Sequence, residues 1–438
     1  MEVKPGYKQT EVGVIPEEWE AAKVGEISRV IRGASPRPKG DRRFYGGPIP
    51  RLMVEDVTRD GKTVFPQVDS LTEEGAKLSR PCKKGTLTIV CSGTVGIPSF
   101  LGVDACIHDG FLALVSIRKS VSSDYLYYQF DRLRLSFESS ATHGGVFTNL
   151  TTAGVREFIV PLPPTETEQR AIATALSDVD GLLGGLDRLI AKKCDLKQVA
   201  MQQLLTGQTR LPGFHGEWEV KTFGELFNFS GGYSASRDQL SSEGHCYLHY
   251  GDIHGATKTT VDVRADYQNI PKLDISLKRV ASKSLLEDGD VVFVDASEDD
   301  EGASRHVVVV NKDKKPFISG LHTIVAKSKT DELAHEYRRY CFQTAAIRQQ
   351  FLFYAVGTKV SGISKTNITK LKMPVPKVPE QTAIAEVLTE MDAELAALEQ
   401  RREKTRALKQ AMMQELLTGR TRLLDGCSLA DGIQNRKS

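Results

Sequence analysis

Several short patterns in this 438-residue chain have the residue types of a chemical site. Gly61-Lys62-Thr63 ends like a phosphate-cradling P-loop, but Asp56 stands where that loop needs its first glycine. His335-Glu336 opens like a zinc-protease helix, but Arg339 replaces the second histidine ligand. The acidic run 295–301 offers carboxylates to a cation, in the spacing of a charged, solvated turn. His108, Asp109 and His143 with Cys91 or Ser92 supply the members of a nucleophilic set, yet no spacing rule joins them. No Gly-x-Gly-x-x-Gly follows a strand-like run, so no dinucleotide or S-adenosylmethionine fold is signalled. The seven cysteines contain no Cys-x-x-Cys pair, which leaves neither a zinc site nor a disulfide framework. The expectation is a chain with no catalytic centre and no metal.

Charge is more informative locally than globally. Lys and Arg number 58 against 56 Asp and Glu, so the total announces no polyanionic partner. Residues 29–51, however, carry Arg29, Arg32, Arg37, Lys39, Arg42, Arg43 and Arg51, with Tyr45 and several glycines among them and only Asp41 opposing. Dense arginine on a glycine-rich loop with an aromatic suits phosphate contact and base-edge reading; a solvated basic loop has the same composition. The later part of the chain has Arg237 at the matched place, with Lys278, Arg279, Lys283, Lys312, Lys314, Lys315, Lys359 and Lys365 further on.

The elements that must position these loops are duplicated. Residues 168–211 recur at 380–423 without a gap, an offset of 212, with about half the positions identical. Both copies open on Glu-Gln (Glu168-Gln169, Glu380-Gln381), share Lys-Gln (Lys197-Gln198, Lys409-Gln410) and end in LLTGQTRL or LLTGRTRL. The stretch after the first copy also resembles the start of the chain. Pro5-Gly6-Tyr7 answers Pro212-Gly213-Phe214, Trp19 answers Trp218, and Gly33 answers Gly232. The arrangement is therefore circular: globule, connector, globule, connector. If both connectors join the same two globules they run antiparallel, about a pseudo-two-fold axis.

Each connector reads as a long amphipathic helix of about 38 residues, about 57 Å. Thr165 to Glu168 has capping-box spacing. Ile172, Leu176, Val179, Leu183, Leu186 and Ile190 make a heptad seam, as do Ile384, Leu388, Met391, Leu395 and Leu398. The register breaks at Lys193 and Lys197, and at Arg402, Thr405 and Lys409, where a shifted stripe of Leu196, Ala200, Leu204 and Leu408, Met412, Leu416 takes over. The expectation is that Lys193, Lys197, Arg402 and Lys409 turn away from the seam toward docking partners, or simply into water. Gly207 and Gly419 are placed to cap the helices in the left-handed conformation. Gly181, Gly184 and Gly185 weaken the first helix relative to Ala393, Ala396 and Ala397, or let the helices approach closely.

The globules have short strand-like runs (87–91, 111–117, 290–294, 307–310, 323–326), one helical stretch each (124–137, 332–351), and a closing Pro-x-Pro strand (160–163, 373–376). The fold class is α/β (α+β). Segments are expected at 1–165 and 211–378 for the globules, 166–210 and 379–424 for the connectors, and 425–438 for a flexible tail. No apolar run is long enough to span a membrane and no leader is evident, which points to a cytoplasmic protein.

This pattern resembles the specificity (S) subunit of type I restriction-modification enzymes. The resemblance rests on the twice-used connector behind a Pro-x-Pro strand, on the openings IPEEWE (15–20) and FHGEWE (214–219), and on the loop texts at 32–57 and 230–255; it covers residues 5–423. It implies two target recognition domains, each reading one half of a split double-stranded DNA target, and two helices acting as a ruler for the spacer. It also implies partners: two modification (adenine-N6 methyltransferase) subunits using S-adenosylmethionine, and restriction subunits using ATP and Mg²⁺. The chain itself would bind no cofactor. The expected DNA-contacting residues are Arg32, Arg37, Lys39, Arg42, Arg43, Tyr45, Ser92 and Thr94 in the first half, and Tyr233, Ser234, Arg237, Lys359 and Lys365 in the second. Arg51 stands where many relatives carry an aromatic residue. A fused methyltransferase or nuclease lacks its motifs here, and a coiled-coil scaffold without DNA binding leaves the basic loops unexplained.

Overall fold

The computed structural model describes residues 3–140, 142–144, 147–254, 258–297, 304–355 and 361–423. Lys359, part of the acidic run (298–301) and the tail 425–438 lie outside them. Contacts divide the chain into two units, Met1–Asp187 with Arg401–Ser438, and Arg188–Gln400. Each unit therefore contains a segment of both long helices.

The first unit is built on a five-stranded sheet in the order Arg29–Arg32, Phe111–Val115, Leu87–Val90, Pro98–Leu101, Thr63–Val64. All neighbours are antiparallel except the last pair. A second sheet orders Asp69–Leu71, Tyr45–Leu52, Ala105–Ile107 and Arg80–Cys82. The strand Leu87–Val90 is buried along its whole length, and its one polar side chain, Thr88, donates its Oγ1 to the Ser99 carbonyl at 3.0 Å. The closing strand Ile159–Leu162 pairs with Glu20–Lys23, just beyond the fully buried Trp19.

The second unit repeats this plan. Its five-stranded sheet orders Phe227–Gly231, Thr323–Ser328, Val291–Val294, His306–Val310 and Thr260–Asp262, with the same senses throughout. Its smaller sheet runs Leu240–Ser241, Lys272–Leu273, His245–Leu248, Phe317–Ser319. Lys372–Val375 pairs with Glu219–Thr222 as the closing strand. The helical stretch expected in each half is two helices instead of one: Ser123–Arg132 and Arg134–Ser140 in the first unit, His335–Cys341 and Ala345–Tyr354 in the second. In the second unit Thr344 caps the new helix, its Oγ1 accepting from Ile347 N at 3.3 Å.

The long helices are Glu166–Leu204 and Val378–Leu416, 39 residues each, about 58 Å at 1.5 Å per residue. Gly207 and Gly419 follow them with φ of +73°, the left-handed geometry that favours glycine. Thr165 Oγ1 accepts from Glu168 N at 3.2 Å, so half of the capping box forms. Ile172, Ala173 and Leu176 join Met413, Leu416 and Leu417 in the core of the first unit. Ile384, Ala385 and Leu388 join Leu204 and Leu205 in that of the second. The shifted stripe is only partly realised: Leu204 and Leu416 are buried, but Leu196 and Leu408 are 47% and 54% exposed. Their neighbours Lys197 and Lys409 take the inward places, drawn there by acidic partners.

Candidate nucleic-acid interface

The glutamines of the two Glu-Gln pairs dock each long helix onto its domain. Gln169 Oε1 accepts from Ser122 N (2.8 Å), and its Nε2 donates to Ser120 and Pro163 carbonyls (3.0 Å each). Gln381 repeats this with Ala334 N (2.8 Å) and the Glu332 and Pro376 carbonyls (2.7 Å each). Both side chains are buried, so every polar atom needs such a partner.

The loops of interest leave the first strand of each five-stranded sheet at the matched glycines. A Cβ on Gly33 would lie 2.0 Å from the His108 carbonyl oxygen, and one on Gly232 would lie 1.7 Å from that of Gly320. Only glycine permits this approach. Gly33 N donates to Phe111 O (2.9 Å) and Ala34 N to Ile107 O (3.1 Å); Gly232 N donates to Thr323 O (3.3 Å) and Tyr233 N to Ser319 O (2.7 Å).

In the first unit the basic loop gathers on the turn at Asp109. Arg32 Nε donates to the Asp109 carbonyl at 2.8 Å, and Ser35 Oγ donates to its carboxylate. Arg37 lies 3.7 Å from the same carboxylate and is 72% exposed. Tyr45 OH donates to Pro36 O at 2.8 Å. Arg43 folds back onto Asp41 (Nη2–Oδ2 2.8 Å), which holds the Asp41 carboxyl below its usual range. Lys39 and Arg42 are exposed and make no ion pair among the described residues. Ser92 bridges to Asn149, and Thr94 is exposed on the loop after Leu87–Val90. Cys91, just before it, donates its thiol to the Asp109 carbonyl at 3.6 Å. Burial pushes that thiol up to about 11, which favours the protonated form at neutral pH. Burial, then Arg51, lowers the His108 imidazole, whose Nδ1 accepts from Gly110 N at 2.8 Å. His108 thereby shapes the turn.

In the second unit Tyr233 is half-buried, and Ser234 and Arg237 are exposed, with Arg237 3.8 Å from Asp252. Lys365 is brought to this loop: its Nζ lies 3.2 Å from the Cβ position of Gly231. Tyr45, Arg32 and Arg37 thus converge with Ser35 and Asp109, two residues outside the expected DNA-contacting set. The Gly33–His108 contact is the physical link between them.

The four cations expected to face docking partners or water each form an ion pair between the two long helices, within their own units. Lys409 reaches Asp180 (2.8 Å) and Asp131 (3.5 Å), and Arg402 lies 3.6 Å from Asp187 in the first unit. Lys193 reaches Glu394 (2.7 Å) and Lys197 reaches Asp392 (2.5 Å) in the second. The two lysines that align in the repeat form matching triads. Tyr128 OH donates to Asp180 (2.8 Å) and Tyr340 OH to Asp392 (2.7 Å). Each lysine also lies over its tyrosine ring, at 5.7 Å and 6.0 Å. Burial pushes the Tyr340 phenol up to about 12 and raises Tyr128 likewise. Within each unit the ladder of pairs shows the helix segments running antiparallel. The inward lysines turn Leu196 and Leu408 outward.

No helix among the described residues is long and apolar enough to cross a membrane, and no group of three His, Cys, Asp or Glu among them is set to hold a metal.

The chain is similar, over nearly its whole length, to known proteins. The type I restriction enzyme MjaVIII specificity subunit of Methanocaldococcus jannaschii is 24% identical over 93% of this chain and 94% of its own. The MjaIX specificity subunit of the same organism is 23% identical over 85% of this chain and 86% of its own. The crystal structure of a type I restriction-modification S subunit from M. genitalium shares the fold with a TM-score of 0.53, at 14% identity over 95% of this chain and 98% of that one. A chain from a structure describing complex assembly and conformational transition of the type I R-M system reaches 0.59, at 16% identity over 92% and 99%. The model of the type I restriction modification DNA specificity domain matches residues 16–190 and 215–407, one stretch for each duplicated domain with its helix, and the chain belongs to that family.

Proposed function

We propose that this specificity subunit reads a bipartite double-stranded DNA sequence, one half with each domain, and that it does so without catalysing a reaction itself. The observation that carries this is the repetition of one interface in two units: a glycine-anchored loop, closed on a turn of the neighbouring strand, presenting exposed cations. In the first unit these are Arg37, Lys39 and Arg42; in the second, Arg237 and Lys365. Exposed guanidinium and ammonium groups on a fixed loop suit phosphate contact, with bidentate arginine for guanine edges.

The partners are two modification subunits that methylate adenine N6 with S-adenosylmethionine, and restriction subunits that use ATP and Mg²⁺. The chain binds neither cofactor. It works in the cytoplasm, and its paired long helices set the spacer between the half-sites while carrying the modification subunits.

The test is binding of the assembled complex to DNA across a salt series, followed by adenine-methylation mapping. Specific binding should weaken steeply and log-linearly with salt. Failure to bind DNA with modification subunits present overturns the proposal and leaves a scaffold reading.

A further inference from the structure

The smaller sheets of the two units place different residues at one position of the duplicated fold. In the first unit Tyr45–Leu52 runs parallel to Ala105–Ile107, with Arg51 opposite Cys106. In the second His245–Leu248 runs parallel to Phe317–Ser319, with Tyr247 opposite Ile318. Arg51 and Tyr247 are therefore structural counterparts. The chemistry of their side chains differs, but what they hold is the same.

Arg51 is 4% exposed. Its Nη1 is bound to Asp69, and its Nη2 donates to Ser35 Oγ at 2.6 Å. Ser35 Oγ in turn donates to the Asp109 carboxylate, which faces the exposed Arg37. The guanidinium also lies 5.4 Å from the ring centre of Tyr45, whose hydroxyl holds Pro36. Arg51 thus fixes the loop at residues 35 and 36 and ties it to the turn at 109.

Tyr247 is fully buried. Its hydroxyl donates to Tyr233 O at 2.8 Å and accepts from Ala235 N at 3.3 Å and from Leu321 N at 3.0 Å. Leu321 is the counterpart of Asp109, two residues beyond the paired strand in each unit. One phenolic oxygen therefore joins the loop 233–235, which leads to Arg237, to the closing turn.

We propose that Arg51 and Tyr247 are positioning residues for specificity: each locks the loop after the shared glycine onto the facing turn, and so aims that domain's exposed cations. This rests on the DNA-reading function proposed for the two domains. Both residues are buried, so they act through Ser35 and Asp109, or through the backbone at 233–235 and 321. Fixing a contact group within a fraction of an ångström is what separates base reading from phosphate attraction.

The experiment uses the full chain assembled with its modification subunits, in three forms: unaltered, Tyr247→Phe and Ser35→Ala. Tyr247→Phe keeps the ring and removes only the hydroxyl. Ser35→Ala cuts the first unit's relay without disturbing the Arg51–Asp69 pair. Genome-wide adenine-methylation mapping reads each half-site separately, and binding across a salt series reads the phosphate contacts. Tyr247→Phe should relax base preference at one half-site by roughly tenfold and leave the other unchanged. Ser35→Ala should do the converse. The salt slope should hold in both, because the exposed cations remain. A variant with an unchanged methylation pattern overturns the inference. So does equal loss at both half-sites in step with a lower unfolding temperature, which is the mark of a merely structural role. An unaltered complex that marks no bipartite site overturns the DNA-reading function itself.

Discussion

The Arg422 guanidinium closes on the Glu168 carboxylate across 254 positions of sequence, with Nη2 2.8 Å from Oε2. The arginine lies 5.6 Å from the ring centre of Trp19, and a second arm reaches Glu18. One contact therefore joins the last motif of the second repeat, the first motif of the first repeat and the opening tryptophan. In the second unit Arg210 meets Glu380 (Nη2–Oε2 2.7 Å) beside Trp218. These pairs explain why Thr-Arg closes both repeats, Glu-Gln opens both, and a tryptophan follows each in circular order.

The two pairs differ in one respect that can be measured. Trp218 Nε1 donates to Glu380 at 3.0 Å, whereas Trp19 Nε1 has no hydrogen-bond partner among the described residues. Glu168 and Glu380 are both almost fully buried. Arg422→Met strips Glu168 of its charge partner and should cost about 3–5 kcal/mol. Arg210→Met leaves Glu380 with the indole donor and should cost less, by about 1.5–3 kcal/mol. Denaturant unfolding of the two variants checks this; equal losses would remove the indole from the account.

Lys409 gives a second prediction. It is held by Asp180 and Asp131 and lies over Tyr128, all within the first unit. Lys409→Met should destabilise the chain by about 1–3 kcal/mol, because a partly buried carboxylate loses its cation. Assembly with modification subunits should persist at the same stoichiometry once the variant is folded. A variant of unchanged stability that fails to assemble would return Lys409 to a docking role.

Much of this architecture is legible in the residues alone, and the exceptions share a cause. Gly33 and Gly232, Gly207 and Gly419, and the two Pro-x-Pro strands announce themselves, because backbone geometry is a local property that a residue type reports. The fate of Lys197 and Lys409 is not local. Their acids and tyrosines come from the facing helix and from the domain, and Lys197 is 195 positions from its aspartate. A heptad pattern reports period, not which face a charged residue will share with a remote partner. Arg51 is hidden for the same reason: in a run of basic residues nothing marks the one whose acid, Asp69, lies on the neighbouring strand. The break of the helical stretch at Leu133 carries no proline or glycine to announce it.

Two glycines of the first long helix, Gly181 and Gly185, can be separated from a packing role. A Cβ on Gly181 or Gly185 would meet nothing within 4 Å, so close approach does not require them. Gly181→Ala and Gly185→Ala should each stabilise the chain by about 0.5–1 kcal/mol, through helix propensity and the entropy of the unfolded chain. Thermal unfolding of the single and double variants reads this, with near-additive gains expected. A loss of stability would show that the helix needs its glycines to bend.

The basic loop of the first domain offers a graded pair. Arg43 is engaged with Asp41, while Arg42 beside it makes no ion pair among the described residues. Arg42→Ala should therefore weaken recognition of one half-site by about 1–3 kcal/mol and lower the salt slope by about one. Arg43→Ala should have the smaller effect, since DNA contact by Arg43 requires release from Asp41. Binding of the assembled complex to targets mutated in either half-site distinguishes them. Equal weakening at both half-sites would contradict the assignment of these arginines to one reading surface.

The spacer proposal can be tested without disturbing either unit's internal pairs. Arg402 meets Asp187 in the first unit, and Lys193 meets Glu394 in the second. Insertions placed between 187 and 188 and between 400 and 401 fall between these rungs. Four residues added at both places lengthen each helix by about 6 Å and turn it by about 40° beyond a full revolution. At about 3.4 Å per base pair, that corresponds to about two base pairs of DNA. Adenine-methylation mapping should then find both half-site sequences unchanged and the spacer between them longer by one or two base pairs. Insertion in one helix alone slips the ladder of ion pairs by about one turn, and should cost stability without defining a new spacer. If the doubly lengthened chain assembles, methylates, and keeps the original spacer, the helices do not set it, and the distance between half-sites must be fixed by the partner subunits instead.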